Sequence, residues 1–196
     1  MIAIVSGLPR SGTSLMMQML VAGGMTALSD GERTADADNP RGYLEWERIK
    51  TLPTDPGCIA EAKGKVVKVI SRLLLALPGG YDYRVVFMER PMVEVLASQA
   101  KMLARRGVAK PGPDDKAIAA AFERHLREVH GWLDKTSGVI GLRLAYHSVL
   151  QEPAQTAAKL AEFFGEGPGV GLDAAAMVNA VDASLHRNRG ESLPNG

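Results

Sequence analysis

The chain has 196 residues, 46% of them hydrophobic and 23% charged, enough to bury one sizeable core and of a length that favours a single domain over 1–196. Its 23 Lys and Arg offset 22 Asp and Glu, so no global basic field favours nucleic acid or an anionic membrane, and any anion site must be local. A single cysteine, Cys58, excludes an internal disulfide and a cysteine-built zinc site, and without a long apolar run or a basic leader the expectation is a soluble, cytoplasmic protein.

Met1-Ile2-Ala3-Ile4-Val5 is short, β-branched and bounded by Ser6-Gly7, the pattern of a buried strand. Gly7-Leu8-Pro9-Arg10-Ser11-Gly12-Thr13-Ser14 follows, and then an apolar helix over 15–22. A strand, a glycine-containing turn and a helix N-terminus present free N–H groups and the positive end of a dipole, which suits phosphate or sulfate. The spacing is that of a P-loop with Thr13 where nucleotide hydrolases place lysine, and Arg10 is the loop's cation.

Gly23-Gly24 ends the helix, and 24–64 is expected to be an irregular insertion or lid, with a turn at Asn39 to Glu45 and a short amphipathic helix after it. Lys65 to Ile70 has a strand pattern that sets Lys68 at the ligand edge of a parallel sheet. Tyr83 to Met88 is a third strand, running into Glu89-Arg90-Pro91 and a helix over 91–105. Met92, Leu96, Ala100 and Leu103 fall on one face of that helix, and Glu94, Ser98, Lys101 and Arg105 on another, with Arg90 and Ser98 facing the ligand.

A basic Gly/Pro linker over 105–113 leads to a helix capped by Asp114 or Asp115, whose face from Ile118 to Leu133 is expected to be core. His125 and His130 on or beside it are expected to be packed or exposed, and no metal-ligand spacing joins them to His147 and His186. Val139 to Leu142 is a fourth strand. Strands alternating with helices predict a three-layer α/β fold, a central parallel sheet flanked by helices, with ligand at the strands' carboxyl ends.

Pro9-Arg10-Ser11-Gly12-Thr13-Ser14 resembles the PRSGT phosphosulfate-binding loop of the sulfotransferases, which use 3′-phosphoadenosine 5′-phosphosulfate (PAPS). Arg90 and, after seven intervening residues, Ser98 resemble the family's second signature, R-D-P-x-D-x-x-x-S, which grips the cofactor's 3′-phosphate. Arg143 to Pro153 is similar to the segment R-Y-E-D-L-x-x-D-P, ahead of a helix whose end here is Phe163-Phe164-Gly165. Arg187 and Arg189 before Gly190 resemble the Arg-Lys-Gly element at the 3′-phosphate. Gly31-Glu32-Arg33-Thr34 resembles the Gly-Glu-Glu-Thr segment of tyrosyl-protein sulfotransferases, which implies Glu32 as general base with Glu45 in reserve. Cytosolic members carry Lys-Thr-His where this chain has Lys68-Val69-Ile70, so the resemblance is closer to the tyrosyl-protein and bacterial type.

The resemblance implies sulfuryl transfer from PAPS to a hydroxyl or amine of a small-molecule or peptide acceptor, leaving PAP and requiring no metal. Arg10, with Pro9, Ser11, Gly12, Thr13 and Ser14, would hold the phosphosulfate, Arg90 and Ser98 the nucleotide, and Lys68 would assist transfer. Two alternatives stay open, a P-loop kinase or nucleotide hydrolase and a catalytically idle PAP-binding module.

Overall fold

The structure, a computed structural model, describes residues 1–32, 42–105, 107, 115–165 and 171–182. Strand β1 (Ile2–Gly7) lies inside the sheet and buries all six of its residues. Parallel pairing joins it to β2 (Val66–Lys68) on one side and β3 (Tyr83–Glu89) on the other, and β4 (Val139–Ala145) follows β3, giving the order β2-β1-β3-β4.

Both faces of β1 are covered, which is why its sequence is continuously apolar rather than alternating. Ala3 and Val5 turn to one face, against Met16 and Met17 of α1 (Thr13–Ala22) and Leu160 and Phe164 of α6 (Pro153–Phe164). Ile2 and Ile4 turn to the other, against Phe87 of β3 and Val129 and Leu133 of α4 (Asp115–Lys135). Short helices α2 (Ser71–Leu74), α5 (Tyr146–Gln151) and α7 (Ala174–Asn179) complete the layers. A parallel sheet with helices on both faces is the expected three-layer α/β P-loop arrangement. No helix among the described residues is long and apolar enough to cross a membrane.

Helix α3 (Met92–Arg105) buries a different face from the one its apolar periodicity predicts. Its buried residues are Glu94, Val95 and Ser98, while Met92, Leu96, Ala100 and Leu103 are half-covered. The polar side is drawn inward because it faces Arg90 and the phosphate loop, where ion pairs rather than apolar contacts hold it. In α4 only Val129 and Leu133 are fully buried, and the rest of the expected core face is half-covered or, at Ala121, exposed.

The described parts of 24–64, residues 24–32 and 42–64, hold more regular structure than an irregular insertion would. Ala27 bridges Val66 at the sheet's edge, and two 3₁₀ helices, 47–51 and 56–62, place Trp46, Ile49, Leu52 and Ile59 in the core against β1 and β2. The first of these stands where a short amphipathic helix was expected. Cys58 is buried there as a free thiol, and burial pushes its pKa up, the state of an inert structural cysteine. Asn39 to Arg41, residues 108–114, Arg187 and Arg189 lie outside the described residues.

Candidate functional site

The loop between β1 and α1 depends on glycine at both ends. A Cβ on Gly7 would lie 2.4 Å from Ser11 Oγ and 2.7 Å from the Met88 carbonyl oxygen, so only a bare backbone fits between them. Gly12 sits at φ +102° just before α1, and a Cβ there would meet the Tyr146 ring at 2.4 Å. With glycine at the N-cap, no side chain caps the helix, leaving its first-turn N–H groups to an external anion. The hydroxyls of Ser6 and Ser11 are buried without a hydrogen-bond partner. Such groups ordinarily find one, and two buried hydroxyls beside a helix N-terminus suit a ligand rich in oxygen acceptors.

Arg10 adopts φ +71°, a left-handed conformation that costs a non-glycine residue on the order of 1–3 kcal/mol. The surroundings hold it there. Its Nε donates to Ser98 Oγ at 2.9 Å, across 88 residues of sequence, and its carbonyl oxygen accepts from an Arg90 guanidinium nitrogen at 3.1 Å. The loop is thereby joined directly to the end of β3 and to α3.

Arg90 is itself enclosed. Its Nε donates to Glu94 Oε2 at 2.8 Å, one helical turn along, with side-chain exposures of 6% and 8% that mark a buried ion pair. The guanidinium carbon stands 4.5 Å from the centre of the Tyr146 ring, a cation–π contact, and His147 Nε2 lies 2.8 Å from Glu94 Oε1. Burial by itself would raise the Glu94 pKa, but hydrogen bonding to His147 and Arg90 outweighs it and holds the carboxyl below its ordinary range. Two arginines thus converge on the loop with one buried carboxylate between them, a local positive site in a chain of nearly balanced charge.

On the other side of β1, Lys68 is 95% buried and points into the same loop. Its ammonium donates to Ser14 Oγ at 3.0 Å and to the Tyr43 carbonyl oxygen, and it lies 3.6 Å from Glu45 Oε1. Residues 43–45 are thereby tied to the start of α1. Replacing Lys68 by Met is expected to lower stability by about 1–3 kcal/mol, because the hydrogen bonds of a buried charge are lost. An unchanged melting temperature would show that Lys68 does not hold this segment.

The structure therefore brings Arg10, Arg90 and Ser98 together on one side of the loop and Lys68 to the other, with Ser11, Gly12, Thr13 and Ser14 between, while Pro9 is exposed at the loop's crest. Glu32 is not brought in by any contact the structure shows. It is exposed, and its backbone N–H donates to Asp30 Oδ1 at 3.1 Å. Of the two carboxylates considered as base, Glu45 is the one joined to the loop, through Lys68. Glu94, Tyr146 and His147 are site residues that the sequence did not single out, although Glu94 shares the polar face of its helix with Ser98. Arg90 and Glu94 at i, i+4 with opposite charge were the available signal for the first.

No family model and no curated protein matches the sequence. Among solved structures the fold is similar to the "Sulfotransferase Domain from the Curacin Biosynthetic Pathway", with a TM-score of 0.54 and 14% identity over 100% of this chain and 92% of that one. At that identity the likeness is one of fold.

Proposed function

We propose that this protein is a sulfotransferase that moves the sulfuryl group of PAPS to a hydroxyl or amine acceptor. The observation that carries the reading is the union of a lysine-free phosphate loop with the strand–Arg90–helix–Ser98 element, made by the Arg10–Ser98 and Arg90–Arg10 hydrogen bonds. The likeness in fold to a sulfotransferase domain supports the reaction class.

Unpartnered Ser11, the glycine at the helix start and the two arginines fit a dianionic, oxygen-rich group. PAPS, when bound, supplies a sulfuryl group already activated by attachment to phosphate. The first-turn N–H groups of α1, the hydroxyls of Thr13 and Ser14 and the Arg10 guanidinium hold the phosphosulfate end. These preorganised donors stabilise the negative charge that gathers on the phosphate as the sulfuryl group departs. Arg90 and Ser98 hold the nucleotide's 3′-phosphate, and the Lys68 ammonium adds positive charge beside Ser14.

Comparison of PAP with adenosine 5′-phosphosulfate, which lacks the 3′-phosphate, tests these assignments. Ser98→Ala is expected to weaken PAP binding by about 1.5–3 kcal/mol, roughly tenfold or more, and to weaken adenosine 5′-phosphosulfate less in calorimetry, because that ligand feels only the release of Arg10 from Ser98. Equal losses for both nucleotides would remove Ser98 from the 3′-phosphate site.

A further inference from the structure

At the carboxyl end of β3, a cavity of about 240 Å³ lies beside the phosphate loop, with walls from α3 and α4. Phe87, Val95 and Leu126 make much of it apolar, and Ser11, Glu89 and His130 add polar atoms to the lining. Among the few buried side-chain atoms that lack a hydrogen bond in the described residues, Ser11 Oγ and His130 Nε2 belong to this same lining. Buried polar atoms ordinarily have partners; the phosphosulfate group supplies one for Ser11 Oγ where the loop meets the cavity, and His130 Nε2 points to a second polar ligand inside it. The His130 ring packs edge-on against Phe87, with centroids 5.5 Å apart, and its Nε2 lies 3.2 Å from Glu89 Oε1, a charge contact without hydrogen-bond alignment.

We infer, on the sulfotransferase reading above, that this cavity takes a compact hydroxyl acceptor with an apolar body and that His130 accepts its proton. The volume falls below the range of about 300–1,000 Å³ usual for ligand pockets, which sets the acceptor's size. With the ring proton on Nδ1, Nε2 offers a lone pair to the acceptor. The acceptor's O–H bond breaks and its proton passes to Nε2. Its oxygen bonds to sulfur, and the sulfur–oxygen bond to phosphate breaks with the electron pair kept by the phosphate oxygen. The imidazolium so formed stands beside the Glu89 carboxylate, which stabilises it. Glu45, by contrast, is engaged by the Lys68 ammonium, and Glu32 is exposed away from the described contacts of the loop.

The test compares transfer from PAPS to phenol with transfer to 4-nitrophenol at pH 8, where 4-nitrophenol is largely ionised and needs no base. His130→Gln is expected to lower kcat on phenol by roughly 10²- to 10⁴-fold and on 4-nitrophenol far less, with PAP affinity unchanged. Imidazole added to His130→Ala is expected to restore part of the phenol rate, and should that variant not fold, His130→Gln carries the comparison. Equal losses on the two acceptors, no loss on either, or a phenol-selective loss in Glu45→Gln or Glu32→Gln would overturn the assignment. A wild-type protein that transfers from PAPS to a bulkier hydroxyl or an amine but to neither phenol would overturn the acceptor pocket alone. Failure to bind PAP would instead overturn the function proposed above.

Discussion

Gly12→Ala is expected to abolish detectable PAP binding and to lower the melting temperature sharply. Its φ of +102° alone costs an alanine about 1–3 kcal/mol, and the new methyl group would stand 2.4 Å from the Tyr146 ring, a distance that forces either the ring or the loop to move. Moving Tyr146 disturbs Arg90, which stacks on it, and moving the loop disturbs the N–H groups at the start of α1. Gly24→Ala is the control, since Gly24 has a similar φ of +106° and nothing within 4 Å of its added Cβ. The difference between the two variants in thermal melts isolates the contact with Tyr146. If Gly12→Ala melts no lower than Gly24→Ala and still binds PAP, the loop does not pack on α5 as described.

Arg90→Ala is the second large effect, expected to cost about 3–5 kcal/mol because it strands the Glu94 carboxylate in a buried setting. It also removes the hydrogen bond that holds the Arg10 carbonyl, so PAP affinity falls with stability. Arg90→Ala together with Glu94→Ala should recover part of the lost stability and none of the affinity, which separates the two roles. The same pair makes stability depend on acid. The Glu94 pKa in the folded protein lies below the ordinary 4.5, so the unfolded chain binds that proton more readily. The pair therefore contributes fully above the unfolded value, and its contribution is lost as pH falls through the folded one. Denaturation curves taken below about pH 5 should show this loss in the wild type and a flatter dependence in Glu94→Gln. Identical curves would place the acid sensitivity elsewhere.

Local pattern made the centre of the site legible. β1 and its loop are contiguous, and their apolar run, two glycines and hydroxyls carry their own geometric meaning. Arg90 and Ser98 were legible by spacing, because eight positions after a strand end span two turns of one helix. The rest depended on the fold. Tyr146 reaches the loop, and His147 reaches Glu94, from the junction of β4 and α5, which for Tyr146 is more than 130 positions along the chain, with nothing local to announce it. Lys68 is visible as a lysine at a strand end, but its partners include the backbone oxygen of Tyr43, which no side-chain pattern encodes. Apolar periodicity misassigned the buried face of α3, since it reports burial against hydrocarbon and that face is buried against charge. His130 has a neutral appearance in sequence for the same reason. Its meaning comes from Glu89 on β3 and from the cavity between α3 and α4.

Calorimetric titration of the wild-type protein with PAP and, separately, with ATP and magnesium tests the central claim most directly. PAP should bind tightly without metal, and ATP with magnesium should bind weakly or not at all, because Thr13 stands where a triphosphate-binding loop needs lysine. Tight binding of magnesium–ATP with no heat from PAP would contradict it.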